Sequence, residues 1–154
     1  CSVSLEMLPI FFIALRWGVK EGALLGSTYG ILQLLLGAKI YYPLQAILDY
    51  PLAFSALGLA GLVKYFSPIK KDLFLITLGS LLGGFIRLVI HTISGVVFFG
   101  QYAPEGQNVW LYSISYNASY MLPEILITII AIFLLSKSLF DNPLLEKSNR
   151  QEAK

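Results

Sequence analysis

Between Leu73 and Phe99 the chain is apolar for longer than a bilayer's hydrocarbon core requires, yet Arg87 and His91 sit inside that run. A helix needs about 20 such residues to cross a membrane. Ionisable groups at membrane depth are costly, and they are found facing a cavity or a bundle interior. Four further apolar segments flank this one: Val3 to Leu15, Gly22 to Gly37, Leu44 to Val63 and Tyr112 to Leu135, the last with Pro123 expected to kink it. With 56% hydrophobic and 13% charged residues, the composition departs from that of soluble domains. The expected fold is therefore an all-α membrane protein, a compact bundle of five transmembrane helices over 1–140, followed by a cytoplasmic polar tail over 141–154.

Threading the segments back and forth sorts the basic residues. Arg16, Lys20, Lys64, Lys70, Lys71, Lys137, Lys147, Arg150 and Lys154 fall on one side, and Lys39 alone on the other. The positive-inside rule makes the first side cytoplasmic. The loop after Phe99 is then extracellular and the C-terminus cytoplasmic. This places the N-terminus outside without a signal peptide to carry it there. The expected remedy is another membrane helix upstream of Cys1, and a first residue other than methionine fits a fragment or a processed product. One cysteine permits no internal disulfide and no cysteine metal cluster. A net charge of +2 argues for no nucleic-acid partner.

Gly22, Gly26 and Gly30 recur at four-residue spacing, as do Gly79 and Gly83. Small residues so spaced let helix backbones approach closely, within one bundle or against a partner membrane protein.

Counting from the outer ends of the spans gives the depth of each polar residue. Asp49 lies five positions into the third segment with Tyr50 beside it; His91 lies eight below Phe99; Asn117 lies five into the fifth, under Tyr112 and Tyr116. All fall about 7–12 Å below the outer boundary, one layer fed by three helices. A carboxylate can hold an amino-substituted, protonatable heterocycle by charge-assisted hydrogen bonds. Histidine and asparagine add donors and acceptors. Phe98, Phe99, Trp110, Tyr112 and Tyr116 offer ring faces for stacking and cation–π contact. The layer therefore suits a flat, cationic aromatic solute.

Plainer readings exist for each residue. An aspartate or histidine in a bundle can simply brace helices. Arg87, one turn below His91, is expected to pair with Glu124 or Glu6 rather than touch ligand. Trp17 reads as an interfacial anchor, and Tyr41 and Tyr42 as belt residues or as the rim of the pocket. Asn117-Ala-Ser119 matches a glycosylation pattern at a depth that argues against it. Asp49, His91 and Ser94 or Ser113 could be drawn as a catalytic relay, but no strained nucleophile turn and no metal-ligand spacing accompanies them. A proton-coupled carrier using Asp49, His91 and Glu124 is the alternative function, although no internal repeat is visible.

The runs LPIFFIALRWGVKEG, LDYPLAF, RLVIHTISGVVFFGQYAPEG and VWLYSISYNASYM, covering nearly the whole chain, resemble the thiamine-specific S components of energy-coupling factor transporters, the ThiT or YuaJ family. The resemblance implies a six-helix protein of the bacterial plasma membrane that captures thiamine from outside. It implies no cofactor and no enzymatic activity. Such proteins work with a shared transmembrane coupling protein and two cytoplasmic ATPases, which consume the ATP. Carried over by residue, the family's acidic ligand to the aminopyrimidine falls on Asp49, with Tyr50 beside it. Its histidine falls on His91, its stacking aromatic on Phe99, and its later tyrosine and asparagine on Tyr112 and Asn117. Asp49 stands where some members carry the longer glutamate, and Phe99 where some carry tryptophan. The family's first helix, with its docking motif, and the aromatic of the loop after it would precede Cys1.

Overall fold

A computed structural model describes residues 5–66 and 73–140, with side chains as far as residue 135. The polar tail 141–154, Cys1, Lys70 and Lys71 lie outside the described residues. Among those described there are five helical rods and no strand: α1 (Met7–Trp17), α2 (Val19–Leu35), α3 (Pro43–Tyr65), α4 (Leu73–Phe99) and α5 (Val109–Phe140). By length and apolar composition α3, α4 and α5 can each cross a membrane. The first segment gives a helix of 11 residues and the second one of 17, both short of the about 20 that a full span needs. At about 1.5 Å per residue α1 spans roughly half a bilayer. Pro123 lies inside α5, which stays helical on both sides of it.

The short α1 is the centre of the bundle. Met7, Ile10, Phe11, Ala14 and Leu15 are buried together with Phe54, Leu57, Ala60 and Val63 of α3, Ile76 of α4, and Met121, Ile125 and Ile132 of α5. α2 packs differently: its buried positions are only Gly22, Gly26 and Gly30, while Leu24, Ile31, Leu32 and Leu35 are exposed. An outward leucine is costly in water and unremarkable in lipid, so the exposed face agrees with a membrane setting. A single residue, Gly18, turns the chain from α1 into α2 at φ 127°, a conformation that L side chains rarely adopt.

The glycine ladder is spent inside the chain. A Cβ on Gly22 would stand 2.5 Å from that of Ala14, one on Gly26 would run into the Phe54 carbonyl, and one on Gly30 would lie 2.6 Å from the Pro51 backbone. Backbone rather than side chain stands opposite the last two, so neither clash relaxes by a rotamer change. Gly26→Ala is expected to cost about 1–3 kcal/mol by prising α2 off α3. Thermal unfolding in detergent checks this, and an unchanged midpoint would refute the close packing.

α3 changes its winding along its length. After a first α-helical turn, Leu48–Leu52 form a π-helical turn, Ala53–Ala56 return to α, and Leu57–Tyr65 tighten to 3₁₀. Pro51 has no N–H to give the regular ladder, and widening the turn absorbs that loss. In the 3₁₀ part three residues make one turn, so Gly58, Gly61 and Lys64 fall in line. The two glycines abut the backbones of Ala23 and Val19, and Lys64 Nζ donates to the Trp17 carbonyl at 3.0 Å. Arg16, Lys20 and Lys64 thus gather at one end of the bundle. The Arg16 guanidinium lies 5.0 Å from the Trp17 ring centre.

Candidate functional site

At the opposite end the helices part around a cavity of about 770 Å³. Seven of the residues expected at the site line it: Asp49, Tyr50, His91, Phe99, Tyr112, Tyr116 and Asn117. The π turn of α3 carries Asp49 and Tyr50; α4 contributes His91 and Phe99; α5 contributes the tyrosines and Asn117. Phe98 and Trp110, also expected to offer ring faces, do not line it. Phe98 is taken up by Tyr42, stacked at 5.3 Å between centroids, and Trp110 is 53% exposed. Trp110 precedes Tyr112 by two residues, about 200° around the helix, which turns it to the other side. Of the two rim tyrosines, Tyr41 lines the cavity and meets Phe99 edge-on at 5.6 Å, while Tyr42 does not line it.

Asp49 and His91 face each other, Oδ1 to Nδ1 at 3.5 Å. Among the described residues neither Asp49 Oδ1 nor His91 Nε2 has a partner in good hydrogen-bond geometry, although both are buried; the Ser94 hydroxyl is the other side-chain group close to the Asp49 carboxylate. Leaving such atoms unmet costs about 1–3 kcal/mol apiece, and a ligand that met them would recover it. Asp49 Oδ2, by contrast, accepts a 2.6 Å hydrogen bond from Gln45 Nε2. Sequence reasoning passed over Gln45, although a carboxamide at membrane depth one turn before Asp49 was a visible signal.

Asn117 lines the cavity with most of its amide engaged by the protein. Its Nδ2 donates to the Ser113 carbonyl at 2.9 Å and lies 3.4 Å from the His91 carbonyl, while Oδ1 accepts from Tyr120 Oη at 2.7 Å. It therefore ties α5 to the backbone beside His91. Ser113 Oγ adds a second tie, donating to the Thr92 carbonyl at 2.9 Å, and Gly95 leaves the room for it. Tyr120, another lining residue missed in the sequence, continues the row: Tyr112 and Tyr116 stack at 6.3 Å, and Tyr116 meets Tyr120 edge-on at 6.1 Å. The four-residue spacing of these tyrosines puts them on one face of α5.

The floor of the cavity is charged. Arg87 is buried with Nη2 at 3.5 Å from Glu6 Oε1 and Nη1 at 3.9 Å from Glu124 Oε2, so it pairs with both candidate acids rather than one. Its guanidinium carbon also lies 4.2 Å from the Phe54 ring centre. Glu6 Oε2 accepts from Tyr29 Oη at 3.0 Å and from Gln33 Nε2 at 2.8 Å. Residues on α2 and α4 therefore meet the residue that precedes α1, and Arg87 carries the connection on to Glu124 of α5. Three acids, one arginine and one imidazole line the cavity floor and wall, with Lys39 also lining it. The described residues hold no cluster of three or more histidine, cysteine or acidic side chains placed to grip a metal ion. The pocket is instead built of rings, one acid–imidazole pair and a charged base, which suits an aromatic cation.

Comparison with known proteins agrees with this architecture. Residues 1–142 match the family described as thiamine transporter protein (Thia_YuaJ). The thiamine transporter ThiT of Bacillus subtilis is 42% identical over 87% of this chain and 74% of its own length. That of Lacticaseibacillus paracasei is 38% identical over 84% of this chain and 70% of its own. A solved structure of ThiT from Listeria monocytogenes superposes with a TM-score of 0.78 at 34% identity, covering 89% of this chain and 79% of that one. These relatives are transporters, not enzymes, and the solved one shares the fold of this chain. The chain belongs to the thiamine transporter (Thia_YuaJ) family.

Proposed function

We propose that this chain is the substrate-capture component of an ATP-driven importer of the energy-coupling factor type, binding thiamine at the extracellular side of the bacterial plasma membrane. The transmembrane coupling protein and the two cytoplasmic ATPases are its partners in that reading, and its C-terminus is cytoplasmic. The observation that carries it is the Asp49–His91 pair, with one unmet atom on each residue, inside a ring-lined cavity. Thiamine joins an aminopyrimidine to a cationic thiazolium. The amino group donates to Asp49 Oδ1, His91 Nε2 meets a polar atom of the ligand, and Phe99 and the α5 tyrosines cover the ring faces. Tyr50, Tyr112, Tyr116 and Asn117 complete the wall.

Titrating the purified full-length protein with thiamine while following tyrosine and tryptophan fluorescence tests this. Saturable quenching by thiamine, absent with riboflavin and biotin, is the expected result. Equal responses to all three vitamins would overturn it. Thiamine uptake that persists in cells lacking the ATPases would favour the proton-coupled carrier instead.

A further inference from the structure

Gln45 is 3% exposed and makes two hydrogen bonds of different purpose. Its Nε2 donates to Asp49 Oδ2 at 2.6 Å, and its Oε1 accepts from the Tyr41 backbone N–H at 3.2 Å. The orientation of the amide follows from chemistry: a backbone N–H can only donate and a carboxylate can only accept, so the carboxamide fits one way round. Tyr41 in turn sets its ring against Phe99, and both line the mouth of the cavity. One buried side chain thus joins the acid of the site to its rim.

We propose that Gln45 is a positioning residue that holds the Asp49 carboxylate by Oδ2, leaving Oδ1 as the oxygen for a ligand, and tethers the Tyr41 rim to that carboxylate. The first half rests on Asp49 being the thiamine anchor. Occupying Oδ2 leaves one oxygen for a donor on the ligand, which makes Gln45 a determinant of selectivity for amino-substituted rings. The tether makes the rim sensitive to what happens at Asp49.

Gln45→Met keeps the length of the side chain and removes both hydrogen bonds. It should raise the thiamine Kd about tenfold, one hydrogen bond to a charged group, while an analogue with hydrogen in place of the pyrimidine amino group changes by less than about twofold. A merely structural role would weaken both ligands equally, and that outcome overturns the selectivity half. Hydrogen–deuterium exchange of the ligand-free protein tests the tether without any ligand. The peptide containing Tyr41 should exchange faster in Gln45→Met than in wild type. Gln45→Glu, which keeps an acceptor for the Tyr41 N–H but sets an acid against Asp49, should restore slow exchange and not the affinity. Unchanged exchange in Gln45→Met overturns the tether. A wild-type protein that ignores thiamine would sink the thiamine reading and the selectivity half together, and the exchange result would still decide the tether.

Discussion

Asp49→Ala is expected to raise the thiamine Kd about 10- to 150-fold, the equivalent of roughly 1.5–3 kcal/mol for a hydrogen bond to a charged group. Geometry is the reason for the size of the effect. The carboxylate is held at Oδ2 by Gln45, while Oδ1 has only the long 3.5 Å approach of His91 Nδ1, so the ligand meets an acceptor already oriented and dry. Asp49→Asn isolates the charge: the shape survives, one oxygen becomes a donor, and most of the loss should remain. His91 stands 3.5 Å from the same oxygen, so His91→Ala combined with Asp49→Ala should cost less than the sum of the two alone. Titration in detergent measures all of these. An Asp49→Ala protein that binds thiamine as tightly as wild type would remove Asp49 from the site.

Much of the site was legible in the sequence because depth along a helix can be counted. Residues in α4 and α5 at equal distance from the membrane boundary must share a layer, and the run Leu73 to Phe99 became a helix with those ends. What counting cannot supply is the direction each residue faces and the local winding of its helix. Trp110 lies at a suitable height on the wrong side of α5, and the ring of Phe98 is claimed by Tyr42. The π turn that presents Asp49 and Tyr50 was marked in the sequence only by Pro51, whose missing N–H says where a helix must adjust and not how. Asn117 shows a related limit: its residue type announced hydrogen bonding, while the structure shows most of that capacity engaged by Tyr120 and the backbone of Ser113.

The larger stability effect is expected at the cavity floor. Arg87 is buried between Glu6 and Glu124, over the face of Phe54. Removing the cation leaves the buried Glu124 carboxylate, and the partly exposed Glu6 beside it, without their counter-charge, and breaking a buried pair in this way typically costs about 3–5 kcal/mol. Arg87→Met, similar in length and uncharged, should therefore lower the unfolding midpoint in detergent by roughly 10 °C. The same reasoning predicts a rescue. With Glu6→Gln and Glu124→Gln added, no uncompensated charge remains and most of the lost stability should return, because neutralising a buried ion cluster as a whole is far less costly than breaking it. Arg87→Lys should fall between the two, keeping the charge while losing the planar fork that reaches both acids. If Arg87→Met unfolds at the wild-type temperature, the acids are neutral or solvated and the cluster does not hold the helices together. If the triple variant is no better than the single one, the contribution of Arg87 comes from its packing on Phe54 rather than from its charge. Since Glu6 precedes α1 and binds Tyr29 and Gln33 of α2, the first of these results would also leave the link between α1, α2 and the α4–α5 pair to apolar packing alone.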